Sequence, residues 1–319
     1  MVHVAILDDY QRVALEVADW SALDGRAELT VFTERLEGED EAAAVLAEFD
    51  VVVAMRERTP FPGSLLSRLP RLQLLVTTGM RNSAIDLAAA ERHGICVCGT
   101  GSLPSSTVEH TWALILGWSR HLVEEAGNMA GDGWQTTLGS GLAGKTLGIV
   151  GLGRIGAAVG RVGSTFGMHV LAWSQNLTTE IAEAAGAERV SFAELLSASD
   201  VVSVHQVLSD RTRNLIGAPE LALMRRSALL VNTSRGPIVN ADALVLAVAD
   251  GVIAGAAVDV YDEEPLPAGH PLRSTPGILA TPHLGYVARD VYEVFYGDAV
   301  ADVVGFLDGT PLRQIFGQA

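Results

Sequence analysis

Three segments late in the chain carry side chains suited to holding an anion and moving a proton. VNTSRGPIVN (231–240) contains Arg235, AVDVYDEEP (257–265) contains Asp259 and Glu264, and ATPHLG (280–285) contains His283. A guanidinium offers donors in a fixed fork that matches a carboxylate. A carboxylate beside an imidazole orients the ring and favours its charged form, which keeps a proton available near neutral pH. A fourth segment, TLGIVGLGRIG (146–156), reads G-x-G-x-x-G at Gly151, Gly153 and Gly156. Gly151 permits a tight turn, Gly153 lets backbone approach a pyrophosphate, and Gly156 lets helix and strand pack closely. Arg154 and Ile155 open the helix whose free N–H groups would receive the anion. The pattern points to a dinucleotide. An acidic residue is expected about 20 positions on, where it would bond the adenosine ribose. Ser174-Gln175-Asn176 stands there instead, so NAD and NADP both stay open.

These residues need elements that bring strand ends together. Apolar runs at 2–7, 29–32, 51–54, 74–77 and 95–98 predict one set of strands. A second set is predicted at 146–150, 170–173, 201–204, 229–232, 255–258 and 278–280. Amphipathic stretches at 39–48, 85–92, 157–166, 193–197 and 241–250 alternate with them, the signature of parallel sheets covered by helices. In such sheets the loops after the strand C-termini converge on one crevice, so Arg235, Glu264 and His283 can meet. The breaker-rich GTGSLP (99–104) marks a join, and 105–123 predicts one long apolar helix, buried between domains or paired with another subunit.

Composition removes other classes. Lys+Arg is 22 against Asp+Glu 38, a formal charge of −16, which argues against nucleic acid and against an anionic membrane surface. No apolar run reaches the roughly 18 residues of a membrane span. Cys96 and Cys98 are too close in a strand for a good disulfide, and they lack neighbours for a metal site. Two core thiols in a reducing cytosol is the reading they support.

The order GLGRIG, NTSRG, DVYDEEP, TPHLG resembles the D-isomer-specific 2-hydroxyacid dehydrogenase family over nearly the whole chain. The resemblance implies two doubly wound parallel-sheet domains. A Rossmann cofactor domain (101–284) would be inserted in a discontinuous flavodoxin-like substrate domain (1–100 and 285–319). It implies hydride transfer between NAD or NADP and C2 of a 2-oxo acid, giving a D-2-hydroxy acid, in a cytoplasmic homodimer without a metal. His283 would supply the proton with Glu264 as its partner. Arg235 would hold the substrate carboxylate and polarise the carbonyl, and Asp259 would accept from the nicotinamide carboxamide. Thr107, in TVEH (107–110), and His205 are expected on the cofactor side, although a plain strand-end histidine suits His205 equally. The loop at Gly79, Met80 and Arg81 would bind the substrate carboxylate through N–H groups. This copy departs from the family's G-x-G-x-D-N, and Arg81, with Arg56, could meet a further anionic group. Tyr286 could wall the pocket. His110 reads as a satisfied core histidine, and Asp8, Asp9 and Tyr10 as structural. Two other functions are compatible with the same fold. A formate dehydrogenase would pair its histidine with glutamine, and Glu264 argues against it. An NAD(H)-sensing binding protein of the same fold would bind cofactor without turnover.

Overall fold

A computed structural model describes residues 1–316. Uninterrupted aliphatic runs become strands buried on both faces, as parallel sheets between helices require. VVVA at Val51–Ala54 and LLVN at Leu229–Asn232 are buried at every position. The chain forms two units, one of Met1–Leu103 and Ala288–Ala319, the other of Pro104–Val287. The joins expected at 100/101 and 284/285 therefore fall slightly early, and residues 317–319 of the expected C-terminal segment lie outside the described residues.

The first unit has strands β1 (Val2–Ile6), β2 (Ala27–Val31), β3 (Val51–Ala54), β4 (Leu74–Thr77) and β5 (Cys96–Gly99). They pair in parallel in the order β2-β1-β3-β4-β5, the flavodoxin-like arrangement. Helices α1 (Gly38–Leu46), α2 (Gly63–Leu66) and α3 (Leu87–Arg92) cover it.

The second unit contains α4 (Pro104–Ser119), α5 (Leu122–Ala130), α6 (Arg154–Thr165), α7 (Thr179–Ala184), α8 (Phe192–Ala198), α9 (Ala218–Leu223) and α10 (Ala241–Ala249). Its strands are β6 (Thr146–Val150), β7 (His169–Trp173), β8 (Glu188–Arg189), β9 (Val201–Val204), β10 (Leu229–Asn232), β11 (Gly255–Val258) and β12 (Ile278–Ala280). The order is β12-β11-β10-β9-β6-β7-β8, so the winding reverses between β6 and β9, where a Rossmann sheet binds its ligand. Successive residues serve opposite faces: Leu230 and Ala256 pack in one core cluster, Val231 and Ala257 in the other. Asn232, Val258 and Ala280 lie in register at the ends of β10, β11 and β12. The loops bearing Arg235, Asp259 and His283 thus start side by side.

Two expectations need correction. The single helix expected over 105–123 is two, because His121 adopts a left-handed backbone (φ 51°) and starts α5. Beyond Ser119 the chain leaves the core, and α5 buries none of its residues. Val108, Trp112, Leu114 and Ile115 of α4 pack inside the second unit's own core. Strand β8 was not expected, since its two exposed residues, Glu188 and Arg189, carry no apolar signal.

Helix α11 (Arg289–Leu307) returns the chain to the first unit. Its Asp298 accepts from Gly101 N–H at 2.7 Å, and Arg313 reaches Asp298 at 3.3 Å and Asp302 at 3.1 Å. Burial pushes the Asp302 carboxyl up to about 7 despite Arg313. The Cys96 and Cys98 sulfurs stand 3.9 Å apart as free thiols. Among the described residues no helix is long and apolar enough to cross a membrane.

Candidate active site

The glycine loop is built for close approach. Gly151 has φ +106°, and a Cβ there would lie 2.7 Å from the His205 carbonyl. A Cβ on Gly156 would lie 2.1 Å from the Gly151 oxygen, whereas nothing stands within 4 Å of one on Gly153. The loop is therefore tight behind and open in front. Gly153 caps α6 without a side chain, so the first-turn N–H groups beginning at Arg154 and Ile155 have no side-chain cap. That donor set and cradle suit a pyrophosphate. Ser174, just past β7, accepts from Leu152 N–H at 3.0 Å and so lies against the same loop. His205 bonds Ser203 Oγ through Nε2 at 2.9 Å, and burial pushes it down to about 4, so it is neutral near pH 7.

On the other side of the switch point, His283 Nδ1 and Glu264 Oε2 are 2.6 Å apart. The second carboxylate oxygen of Glu264 accepts from Tyr261 N–H at 3.0 Å. Tyr261 donates its own hydroxyl to Thr281 O at 2.7 Å, tying the glutamate loop to the histidine loop. With Nδ1 engaged, Nε2 is the imidazole nitrogen left to act. His283 sits at φ 53°, with its side chain 18% exposed and Tyr286 edge-on at 5.0 Å. Arg235 follows β10, is half-buried, and donates Nη1 to Ser234 O at 2.8 Å. Asn232 Nδ2 holds the Arg235 carbonyl at 3.0 Å.

Asp259 anchors the strand-end loops. It is fully buried, and its carboxylate receives Leu284 N–H (2.7 Å), Gly285 N–H (2.8 Å), Thr281 Oγ1 (2.6 Å) and His110 Nε2 (3.1 Å). Three of these bonds converge on Oδ1 and one on Oδ2. Thr107 likewise donates to Gly285 O at 3.0 Å. Sequence reasoning missed Tyr261 and Thr281. The tyrosine of DVYDEEP and the threonine of TPHLG were in view, but nothing local says what their hydroxyls meet.

In the first unit, Arg56 has φ 52° and lays its guanidinium over the turn after β4. Nη1 donates to Thr78 O at 3.0 Å, and a Cβ on Gly79 would meet that nitrogen at 2.1 Å. Asn82 braces the turn through Arg56 O (2.7 Å) and Thr77 Oγ1 (2.9 Å). Arg56 also pairs with Glu57 at 3.6 Å, so its charge is engaged within the loop. Met80 and Arg81 are exposed.

A Rossmann sheet, a pyrophosphate cradle and a carboxylate-paired histidine at neighbouring strand ends define a nicotinamide-dependent oxidoreductase. The profile of the D-isomer specific 2-hydroxyacid dehydrogenase NAD binding domain matches residues 112–285. A glyoxylate reductase of Aeropyrum pernix is 42% identical over 77% of this chain and 76% of its own. A D-3-phosphoglycerate dehydrogenase of Bacillus subtilis is 33% identical over 84% of this chain and 51% of its own. The crystal structure of a phosphoglycerate oxidoreductase from Vibrio cholerae O395 superposes with a TM-score of 0.92 at 37% identity, covering 97% of this chain and all of that one. The chain belongs to the D-isomer-specific 2-hydroxyacid dehydrogenase family: it is an NAD(P)-dependent enzyme interconverting 2-oxo and 2-hydroxy acids.

Proposed function

We propose that this enzyme reduces a small monocarboxylic 2-oxo acid, of the glyoxylate and hydroxypyruvate class, with His283 as proton donor. The observation that carries the reading is the 2.6 Å contact between His283 Nδ1 and Glu264, which leaves Nε2 to face the reacting oxygen. The cofactor, when bound, supplies the hydride that C2 receives. Gly151, Gly153, Arg154, Ile155 and Gly156 would hold its pyrophosphate, and Ser174 would stand at its ribose. Glu264 keeps the imidazole aligned and balances its charge while Nε2 carries the proton. Arg235 directs its fork at the substrate carboxylate and carbonyl, which draws the carbonyl electrons toward oxygen as the proton arrives. The N–H groups of Met80 and Arg81 would supply donors for a carboxylate, since Gly79 N–H is spent on Thr100 Oγ1 at 2.8 Å. The small size of the acid is supported by the name of the 42% identical relative and by the engagement of Arg56 with Glu57 and Thr78.

Three finer points belong to this proposal. The neutral Ser174 at the ribose position supports use of NADPH as well as NADH. Free thiols at Cys96 and Cys98 suit a cytoplasmic setting. A homodimer is supported by exposed apolar side chains in and after α5: Leu122, Val123, Met129, Trp134 and Leu138. They extend the end of the 105–123 stretch, to which Leu122 and Val123 belong, as the proposed dimer surface. The test is a panel of 2-oxo acids with NADH and NADPH, followed by loss of nicotinamide absorbance. Turnover highest on glyoxylate or hydroxypyruvate is expected. Cofactor binding without turnover of any acid would contradict it.

A further inference from the structure

The geometry points to His110 as a positioning residue for the proton donor, acting through Asp259; this rests on His283 being that donor. Helix α4 presents Thr107, His110 and Thr111 on one face, since residues three and four apart share a side of a helix. Each grips a different part of the strand-end loops. Thr111 meets Thr233 Oγ1 at 2.8 Å, just before Arg235. Thr107 holds Gly285 O at 3.0 Å, just after His283. Between them, His110 Nε2 lies 3.1 Å from both Asp259 Oδ1 and Thr281 Oγ1.

An ionised carboxylate only accepts, so the imidazole must present its Nε2 proton to Asp259. Asp259 in turn fixes the N–H groups of Leu284 and Gly285, the two residues that follow His283. Thr281, two residues before His283, donates to the same Oδ1. The histidine loop is thus clamped on both sides by one buried carboxylate, and His110 is the side chain from outside that loop that fixes this carboxylate. His283 sits in a left-handed backbone conformation, which a non-glycine residue keeps only when its surroundings hold it there. Removing the His110 N–H leaves Asp259 short of a donor and lets the loop relax, turning Nε2 of His283 away from the reacting oxygen. A misplacement of this kind lowers the rate of the bound complex more than it weakens binding.

The test compares His110→Ala, His110→Gln, His283→Ala and the double variant His110→Ala/His283→Ala in the full-length enzyme. Steady-state kinetics on the best 2-oxo acid are read beside NADH affinity by fluorescence and thermal melting. His110→Ala should lower kcat about 10- to 100-fold, the worth of a lost bond to a charged group, with KM and NADH affinity little changed. His110→Gln, which can place an amide N–H near the same point, should restore most of the loss. The double variant should be no slower than His283→Ala, because the residues act through one proton transfer. Wild-type kcat in His110→Ala, no rescue by glutamine, or multiplied losses in the double variant would each overturn the inference. Wild-type turnover in His283→Ala would instead remove the proton-donor assignment, and the positioning claim with it. Should His110→Ala fail to fold, Thr281→Ala removes a neighbouring donor to the same Oδ1, and Thr281→Ser is its conservative rescue, with the same expectations.

Discussion

At the residue scale, selectivity turns on single atoms. Ser174 offers a neutral hydroxyl where it accepts Leu152 N–H at 3.0 Å. A carboxylate there keeps that acceptor and adds a charge opposed to a 2′-phosphate. Repulsion at about 4 Å is worth roughly 1–4 kcal/mol for effective dielectrics of about 80 to 20. Ser174→Asp should therefore shift the ratio of kcat/KM for NADH over NADPH by about one to three decades toward NADH. An unmoved ratio would place the choice elsewhere. The glycine loop was legible because each glycine answers a steric demand that sequence order alone displays. The hydrogen bonding around Asp259 was not. Its donor His110 lies 149 positions away in sequence, and only the packing of α4 against the sheet brings them together.

At the element scale, most strands could be read directly, since runs such as Val201–Val204, three valines and a serine, are mostly aliphatic and bounded by polar residues. Strand β8 and the break at His121 escaped because neither depends on local hydrophobicity: one is two charged residues extending an edge, the other a backbone torsion. Helix α11 carries a pH-dependent contribution that no sequence pattern announces. Asp302 is buried and its carboxyl is raised from 3.8 to about 7, chiefly by desolvation. The folded chain therefore binds the proton more tightly than the unfolded chain. The resulting stability is fully present below about pH 4 and is lost as pH rises through about 7. Asp302→Asn does not titrate. Urea midpoints of the variant relative to the wild type should rise between pH 4 and 7 and level off above. A difference independent of pH would contradict the assignment.

At the scale of the whole molecule, the second unit could be read with greater certainty than the first. Its loops carry Arg235, Glu264 and His283 in the family's order, whereas the first unit's loop at Gly79 departs from the family pattern. Arg56 illustrates the limit. Its residue type suggested a substrate contact; its contacts with Thr78 and Glu57 depend on a left-handed backbone turn invisible in sequence. The apolar surface after α4 has a consequence for assembly. Glu125 accepts from Thr136 N–H at 3.0 Å and Thr137 N–H at 2.6 Å, which fastens the segment bearing Trp134 and Leu138 to α5. Trp134 is 72% exposed and Leu138 93%. In the proposed homodimer of the 33.6 kDa chain, a second copy would cover them. Sedimentation equilibrium should show the dimer in the wild type and its weakening in Trp134→Ala/Leu138→Glu. A wild type that stays monomeric at micromolar concentration would contradict this.

In the proposed mechanism, Nε2 of His283 delivers the proton to the carbonyl oxygen. The most direct measurement is kcat of His283→Ala for 2-oxo acid reduction, taken beside its NADH dissociation constant. Loss of a placed proton donor predicts a kcat lower by about 10²- to 10⁴-fold, with NADH affinity close to that of the wild type. Turnover at the wild-type rate would show that another group supplies the proton.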